Sequence, residues 1–410
     1  MTSRYLCIAL LPACASAQEV SRGSLAGAAA AAARSSQQEG APYTIKSGDF
    51  RLLVTPSLSL EWNDNISVSR QESLQDVILR PFTQFAGSYP LTAWNQLRLN
   101  LGVGYDKYFE HDEYSRLRLE SGSELAFDIY VKDFWINLHD RFQYTHDPGM
   151  EPGVANVSQY GGFDNKAGLS GTWDLQDVVA TLGYDHQTYL SSSSNYEYMN
   201  RGSEMLSAQL GFKIHPRLTA GLEGTGSFTA YDQPILNDSA GYSAGGYLQW
   251  QPSSVLKGEF HAGYAAYFFD QTSLIVPAVD QDSWYVGMSL THAVTESISY
   301  TLGAGHELRL GLQADSIEAS NARANVQWKI IRDLAIDTSV NYEHGQQGRK
   351  QAALLEETYD HAGLGIGLKH TLTRRLSLSL DYRHTLRSAG TAAREYSQNL
   401  VILGVTYQFQ

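Results

Sequence analysis

From residue 51 to residue 409 the chain alternates apolar and polar positions with a period of two. Leu97, Leu99, Leu101, Val103 and Tyr105 are interleaved with Gln96, Arg98, Asn100, Gly102, Gly104 and Asp106. Leu117, Leu119, Leu125, Phe127, Ile129 and Val131 are likewise interleaved with Arg116, Arg118, Glu120, Glu124 and Asp128. The final segment repeats the pattern, with Val401, Leu403, Val405, Tyr407 and Phe409 apolar at odd positions and Gln398, Thr406 and Gln408 among the even ones. Successive side chains of a strand point to opposite faces, so each segment predicts a strand with one apolar and one water-tolerant face.

A soluble sandwich can alternate in the same way; the connections discriminate. Very short links (174–177, 215–216, 251–253, 294–296, 332–333, 373–374) alternate with long polar ones (63–76, 146–158, 191–200, 232–240, 270–282, 344–357, 387–394). Short turns at one end and long loops at the other are the layout of an outer-membrane barrel. The segments 51–63, 77–90, 94–109, 115–131, 133–146, 159–174, 177–190, 200–214, 217–231, 241–251, 254–269, 282–293, 297–310, 318–330, 333–344, 358–372, 374–386 and 395–409 give about 18 strands. Sixteen follow if Pro56 and Pro81 remove the first pair, since proline belongs at edges and bulges. The expected fold class is all-β, a transmembrane antiparallel up-and-down barrel. An open edge in a bilayer leaves backbone groups unpaired, so the last strand must close on the first, near residues 51–63.

Composition agrees. The chain has 410 residues, 11% of them aromatic, 36 Gly and a formal charge of −13, and no apolar run reaches the roughly 18 residues of a spanning helix. Arg4, the apolar run Tyr5 to Ala13 and Ala15-Ser16-Ala17 predict a signal peptide over 1–17, cleaved before Gln18. The competing assignment is a lipoprotein box at Leu11-Pro12-Ala13-Cys14, with Cys14 acylated. Both cysteines, Cys7 and Cys14, lie here, so no disulfide is expected in the mature chain. Residues 18–50, with the run Ala28 to Ala33, are expected to form a flexible periplasmic lead-in, and 51–410 the barrel.

A barrel of this size has a water-filled interior. Alternation assigns to its inner wall Arg98, Arg116, Arg118, Glu120, Glu124, His139, Arg141, Lys257, Glu259, His261, Glu307, Arg309, Arg323, Lys329, Asp337, Asp381 and Arg383. Mixed signs suit either a solvated wall with cross-strand pairs or a selectivity constriction. Trp62, Trp94, Tyr108, Phe109, Tyr130, Phe134, Trp250, Phe268, Trp284, Trp328 and Tyr407 are expected to form interfacial girdles. The outer loops hold essentially the whole net charge, counting Asp76, Glu151, Asp282, Asp315, Glu318 and Glu357 against few cations such as Arg387 and Arg394. They keep a surface solvated or bridge divalent ions to anionic lipopolysaccharide.

Gly363-Leu-Gly-Ile-Gly367 is no phosphate loop, since it opens no helix; glycines at alternate positions on an inward face make room for bulky neighbours. His111-Asp112-Glu113 diverge too sharply for a metal site. No catalytic site and no cofactor is assigned, and nothing is basic enough for nucleic acid.

The opening Pro56-Ser-Leu-Ser-Leu-Glu-Trp-Asn-Asp-Asn65-Ile66, Leu79-Arg80-Pro81, and Leu99-Asn-Leu-Gly-Val-Gly-Tyr105 with Tyr108 resemble the outer-membrane β-barrel porins often encoded with exopolysaccharide or capsule export genes. The terminal strand resembles the closing strands of such barrels, although Gln410 follows the aromatic Phe409. The resemblance implies a channel in the bacterial outer membrane, contacting its lipid and lipopolysaccharide, folded by the barrel assembly machinery and working with periplasmic polysaccharide-export proteins. Cargo is left open between polysaccharide and general solutes. The alternatives are an adhesive or structural barrel acting through its acidic loops and, more remotely, an outer-membrane hydrolase.

Overall fold

The structure is a computed structural model and describes residues 42–145, 148–311, 315–348 and 357–409. The signal-peptide and Cys14 expectations lie outside the described residues. The strands are β1 (Ile45–Ser47), β2 (Phe50–Asn63), β3 (Asp76–Thr92), β4 (Asn95–Tyr108), β5 (Arg116–Val131), β6 (Phe134–Thr145), β7 (Gly162–Asp174), β8 (Val178–Ser191), β9 (Arg201–His215), β10 (Leu218–Tyr231), β11 (Ser239–Trp250), β12 (Leu256–Phe269), β13 (Gln281–Ala293), β14 (Ile298–Leu310), β15 (Ser316–Ile331), β16 (Leu334–Gln347), β17 (Glu357–Thr371), β18 (Leu376–Ala389) and β19 (Tyr396–Tyr407).

Each strand from β2 onward pairs antiparallel with its sequence neighbours. β19 closes on β2, from Leu400 opposite Asn63 to Thr406 opposite Ser57. The result is a closed 18-strand barrel, which leaves no edge to satisfy in lipid. Pro56 and Pro81 lie inside paired strands, opposite Thr83 and Leu58; the first pair stands. The short β1 falls within the 18–50 segment. It turns at Gly48 (φ 60°) and covers the lower edge of β2, with Ser47 opposite Phe50 and Ile45 opposite Leu52. There Thr44 Oγ1 donates to the Phe409 carbonyl (2.8 Å), so β1 continues the wall beneath β19.

The two faces follow the alternation. Leu58, Leu60, Trp62, Leu117, Leu182, Leu206, Leu222, Leu364, Leu380 and Leu403 are exposed on the outside, the expected lipid face. Trp94, Phe109, Trp250, Phe268, Trp284 and Trp328 are exposed as well. Tyr108 and Tyr130, expected in the girdles, face the other way: Tyr108 is opposite Ile78, which is fully buried, and Tyr130 stacks on buried Trp135. Several charges counted as loop residues belong to strands, among them Asp76, Asp282, Glu318, Glu357 and Arg387. The strands extend further toward the outer mouth than turn residues alone indicate.

Candidate functional site: the barrel lumen and its crossing loop

Cross-strand register brings inner-wall residues of β2 to β6 together as ion pairs. Arg80 reaches Glu61 (3.1 Å) and Asp106 (3.8 Å), and Asp106 also meets Arg118 (3.8 Å), which in turn meets Glu120 (3.7 Å). Glu124 lies between Arg98 (4.0 Å) and Arg141 (3.9 Å). Arg98 Nε donates to Asp128 at 2.5 Å, and that fully buried carboxylate also accepts from Trp135 Nε1 and Asn137 Nδ2. Arg116 stands opposite Asp106 and donates to the Tyr114 carbonyl. His139 is held between Asp185 (2.7 Å) and Asn137 (2.8 Å). Arg80, Arg98, Arg118 and Arg141 are thus each held within 4.0 Å of a carboxylate on their own or an adjacent strand.

Around the ring, Lys257 pairs with Glu259 (2.7 Å), and His261 with Glu223 (2.8 Å), which also accepts from Tyr285. Arg323 lies over Gly303, and the Gly363, Gly365 and Gly367 faces lie beside Asn341, Ser339 and Asp381; a Cβ on Gly363 would sit 2.3 Å from the Asn341 amide oxygen. Asp337 and Asp381 flank Gly367, Arg383 is opposite Gly365, and Lys329 is opposite Ala335. These last residues form a second patch, apart from the ion pairs of β2 to β6.

The outer loops do not stay outside. Residues 148–161, between β6 and β7, reach the far wall: Val154 forms a buried cluster with Met199, Ile317 and Ala319, against which Tyr160, Tyr189, Tyr196 and Tyr198 pack. β6 and β15 are nine steps apart in either direction around the ring of eighteen. The loop therefore crosses the lumen along a diameter. The first loop joins it, for Val68, Ala155 and Tyr396 form a second buried cluster and Asn156 N–H donates to the Val68 carbonyl (3.0 Å). Both residues have positive φ (Val68 40°, Asn156 61°), a strained conformation for β-branched Val68 that costs on the order of 1–3 kcal/mol unless packing enforces it. Burial pushes the Tyr198 hydroxyl, in the loop between β8 and β9, up to about 12 and Tyr160 well above the usual tyrosine range.

Two charged clusters anchor the crossing loop. Arg309 donates to Glu343 (2.7 Å) and Glu307 (3.2 Å) and lies 3.8 Å from Glu151 of the loop, while Tyr359 donates to the same Glu343 oxygen (2.8 Å). Arg387, 1% exposed, donates to the Pro152 carbonyl (2.9 Å), the Arg394 carbonyl (2.6 Å) and Glu357 (2.9 Å), and its guanidinium lies 4.8 Å from the Tyr359 ring centre. Arg394 adds the Gly153 carbonyl (2.8 Å) and Glu357 (2.8 Å). Three carboxylates around one arginine thus sit beside two arginines around one carboxylate where the loop docks on the wall. Alternation alone picked out Glu307 and Arg309; Glu151, Glu343, Glu357, Tyr359 and Arg387 escaped it. Buried Arg387 was counted as a loop cation because Arg387 to Arg394 has no apolar residue larger than alanine to continue the strand signal. His111 and Asp112 are engaged elsewhere, with Asp76 and with Lys107 and Ser115. The Lys107 hydrogen bond holds Asp112 below the usual carboxylate range.

A closed barrel with an apolar outer belt, a charged inner wall and a loop across its bore has the build of a membrane channel. Residues 40–409 match the family described as "Putative beta-barrel porin 2", so the chain belongs to that porin family and to the bacterial outer membrane. Solved structures of similar shape include Acinetobacter baumannii OccAB3 (8% identity, TM-score 0.50, covering 88% of this chain and 100% of that one). Pseudomonas aeruginosa OccK5 (OpdH) follows at 9%, 0.49, 90% and 100%, and P. aeruginosa OpdK with vanillate at 10%, 0.48, 87% and 98%. At these identities the likeness is one of fold. No curated protein matches the chain.

Proposed function

We propose that this porin is a passive channel for small polar solutes, sorted by size and charge where residues 148–161 meet β14 to β18. The crossing loop carries this proposal: an axial path must pass beside Glu151 and Val154, tied to the opposite wall through Arg309, Ile317 and Ala319. Export of a polysaccharide, implied by the sequence resemblance, needs passage for a hydrated polymer through the same opening, and the loop favours the smaller cargo. An adhesive role draws no support from loops that bury Val68, Val154 and Met199 inward.

Liposomes containing the refolded chain should swell in monosaccharides and amino acids and resist swelling in oligosaccharides of increasing length. Permeation by long oligosaccharides at the rate of monosaccharides would overturn the small-solute assignment in favour of the conduit.

A further inference from the structure

One seam of the barrel departs from the rest. β13 runs from Gln281 and β14 to Leu310, yet their ladder stops at Val286 opposite His306. On either side the ladders continue to the rim: Tyr267 faces Gln281 between β12 and β13, and Leu310 faces Ser316 between β14 and β15. Residues 281–285 and 307–310 therefore lie unzipped over roughly 15 Å of wall, at about 3.4 Å per residue.

The burial pattern states where the loose ends go. Leu308 has the parity of lipid-facing His306, yet it is 4% exposed and packs against Tyr267 and Phe269, which have the parity of the lumen face of β12. Glu307, Leu308 and Arg309 are buried consecutively, so β14 is covered on both faces there. Side chains of opposite parity on neighbouring walls meet only where one edge slides behind the other, and the top of β14 is thus tucked inside β12 and β13. Ser283 of lumen parity likewise donates to outward Glu318 (2.7 Å), two strands away. On the outer surface Trp284 stacks on His306 at 4.0 Å, and His306 contacts Glu318 (3.1 Å) and Ser320 (2.8 Å).

We propose that this overlap is a lateral portal, through which uncharged or cationic amphiphiles exchange between the lumen and the outer leaflet. The overlapping layers are held by apolar contact and a few side-chain hydrogen bonds. Parting them breaks no strand ladder, whereas every other seam of the upper wall requires breaking one. The apolar body of a guest fits between Leu308, Leu310 and the stacked Tyr267 and Phe269 rings. Its polar end meets Glu318, Ser283 and His306, a carboxylate and two hydrogen-bonding groups that favour an amine or hydroxyl over an acid. The proposal is independent of which solute takes the axial route.

The test is photolabelling of the full chain in lipid nanodiscs with an apolar trifluoromethylphenyl diazirine, read residue by residue by mass spectrometry. Lipid-facing Leu182 and Leu222 label as positive controls, and lumen-facing Tyr247 is the negative one. Tyr267 and Phe269 should label severalfold above Tyr247, and dodecylamine should suppress that labelling more than dodecanoate does. Trp284→Ala, checked for folding by heat-modifiable mobility, should raise it further. If that variant does not fold, the wild-type comparison decides alone. Labelling of Tyr267 and Phe269 no greater than Tyr247 would overturn the portal, and equal suppression by the two detergents would overturn the headgroup assignment.

Discussion

Arg387 is the residue whose loss should open the mouth most. Its guanidinium makes three charge-assisted hydrogen bonds, two of them to carbonyls of residues 152 and 394, and it is 1% exposed. In Arg387→Ala the Pro152 carbonyl loses its donor and Glu357 keeps only Arg394. Removing one partner of a buried ion pair costs about 3–5 kcal/mol. The β17–β18 and β18–β19 ladders remain, so the cost falls largely on the docked loop rather than on the barrel. A shift of about 3 kcal/mol changes the docked-to-released ratio roughly a hundredfold. Arg387→Ala should therefore raise the unitary conductance, with more frequent level changes, in a planar bilayer, while heat-modifiable mobility stays that of a folded barrel. Arg387→Lys should recover only part of the effect, since one ammonium cannot span the three acceptors. Unaltered conductance from a folded Arg387→Ala barrel would refute the idea that this latch sets the opening.

Arg98→Ala should increase cation selectivity, because the fully buried Asp128 and nearby Glu124 lose their common counter-charge; the reversal potential in a salt gradient reads this. Leu206→Arg, on the lipid face in the middle of β9 and opposite Gly226, should destabilise the inserted barrel by about 2–4 kcal/mol in urea titrations in lipid vesicles, and little change would contradict the assignment of that face. Asp315 is held above the usual carboxylate range by burial, against two hydrogen bonds from Asn237. A raised carboxyl contributes stability that is full at low pH and is lost as pH rises through its folded value. The stability of wild type relative to Asp315→Ala should accordingly be greater near pH 3 than at pH 7; a constant difference would contradict it.

The wall was legible because a bilayer enforces the pattern. One face of every strand must be apolar, and the period of two then fixes the other, as for Arg98 and Leu97 on β4 or Arg118 and Leu117 on β5. Closure of β19 on β2 followed from the cost of an unpaired edge. The crossing loop was not legible, since nothing local distinguishes Glu151 or Val154 from solvated loop residues; their partners lie more than 150 residues away on β14 and β15. Cross-strand pairing such as Glu124 between Arg98 and Arg141 also depends on register, which the two-residue bulge near Gly122 (φ 90°) shifts. The seam between β13 and β14 was equally hidden, for Trp284, Leu308 and Tyr267 each fit a continuous wall when taken strand by strand.

In the proposed channel the bore is narrowed by residues 148–161. The most direct measurement is the unitary conductance of the refolded chain beside a variant in which residues 149–158 are replaced by a short Gly-Ser linker. Stable ion-conducting openings are expected in both, markedly larger in the variant. A silent wild type with a conducting variant would make the loop a plug, and equal conductance in the two would contradict a loop-built constriction.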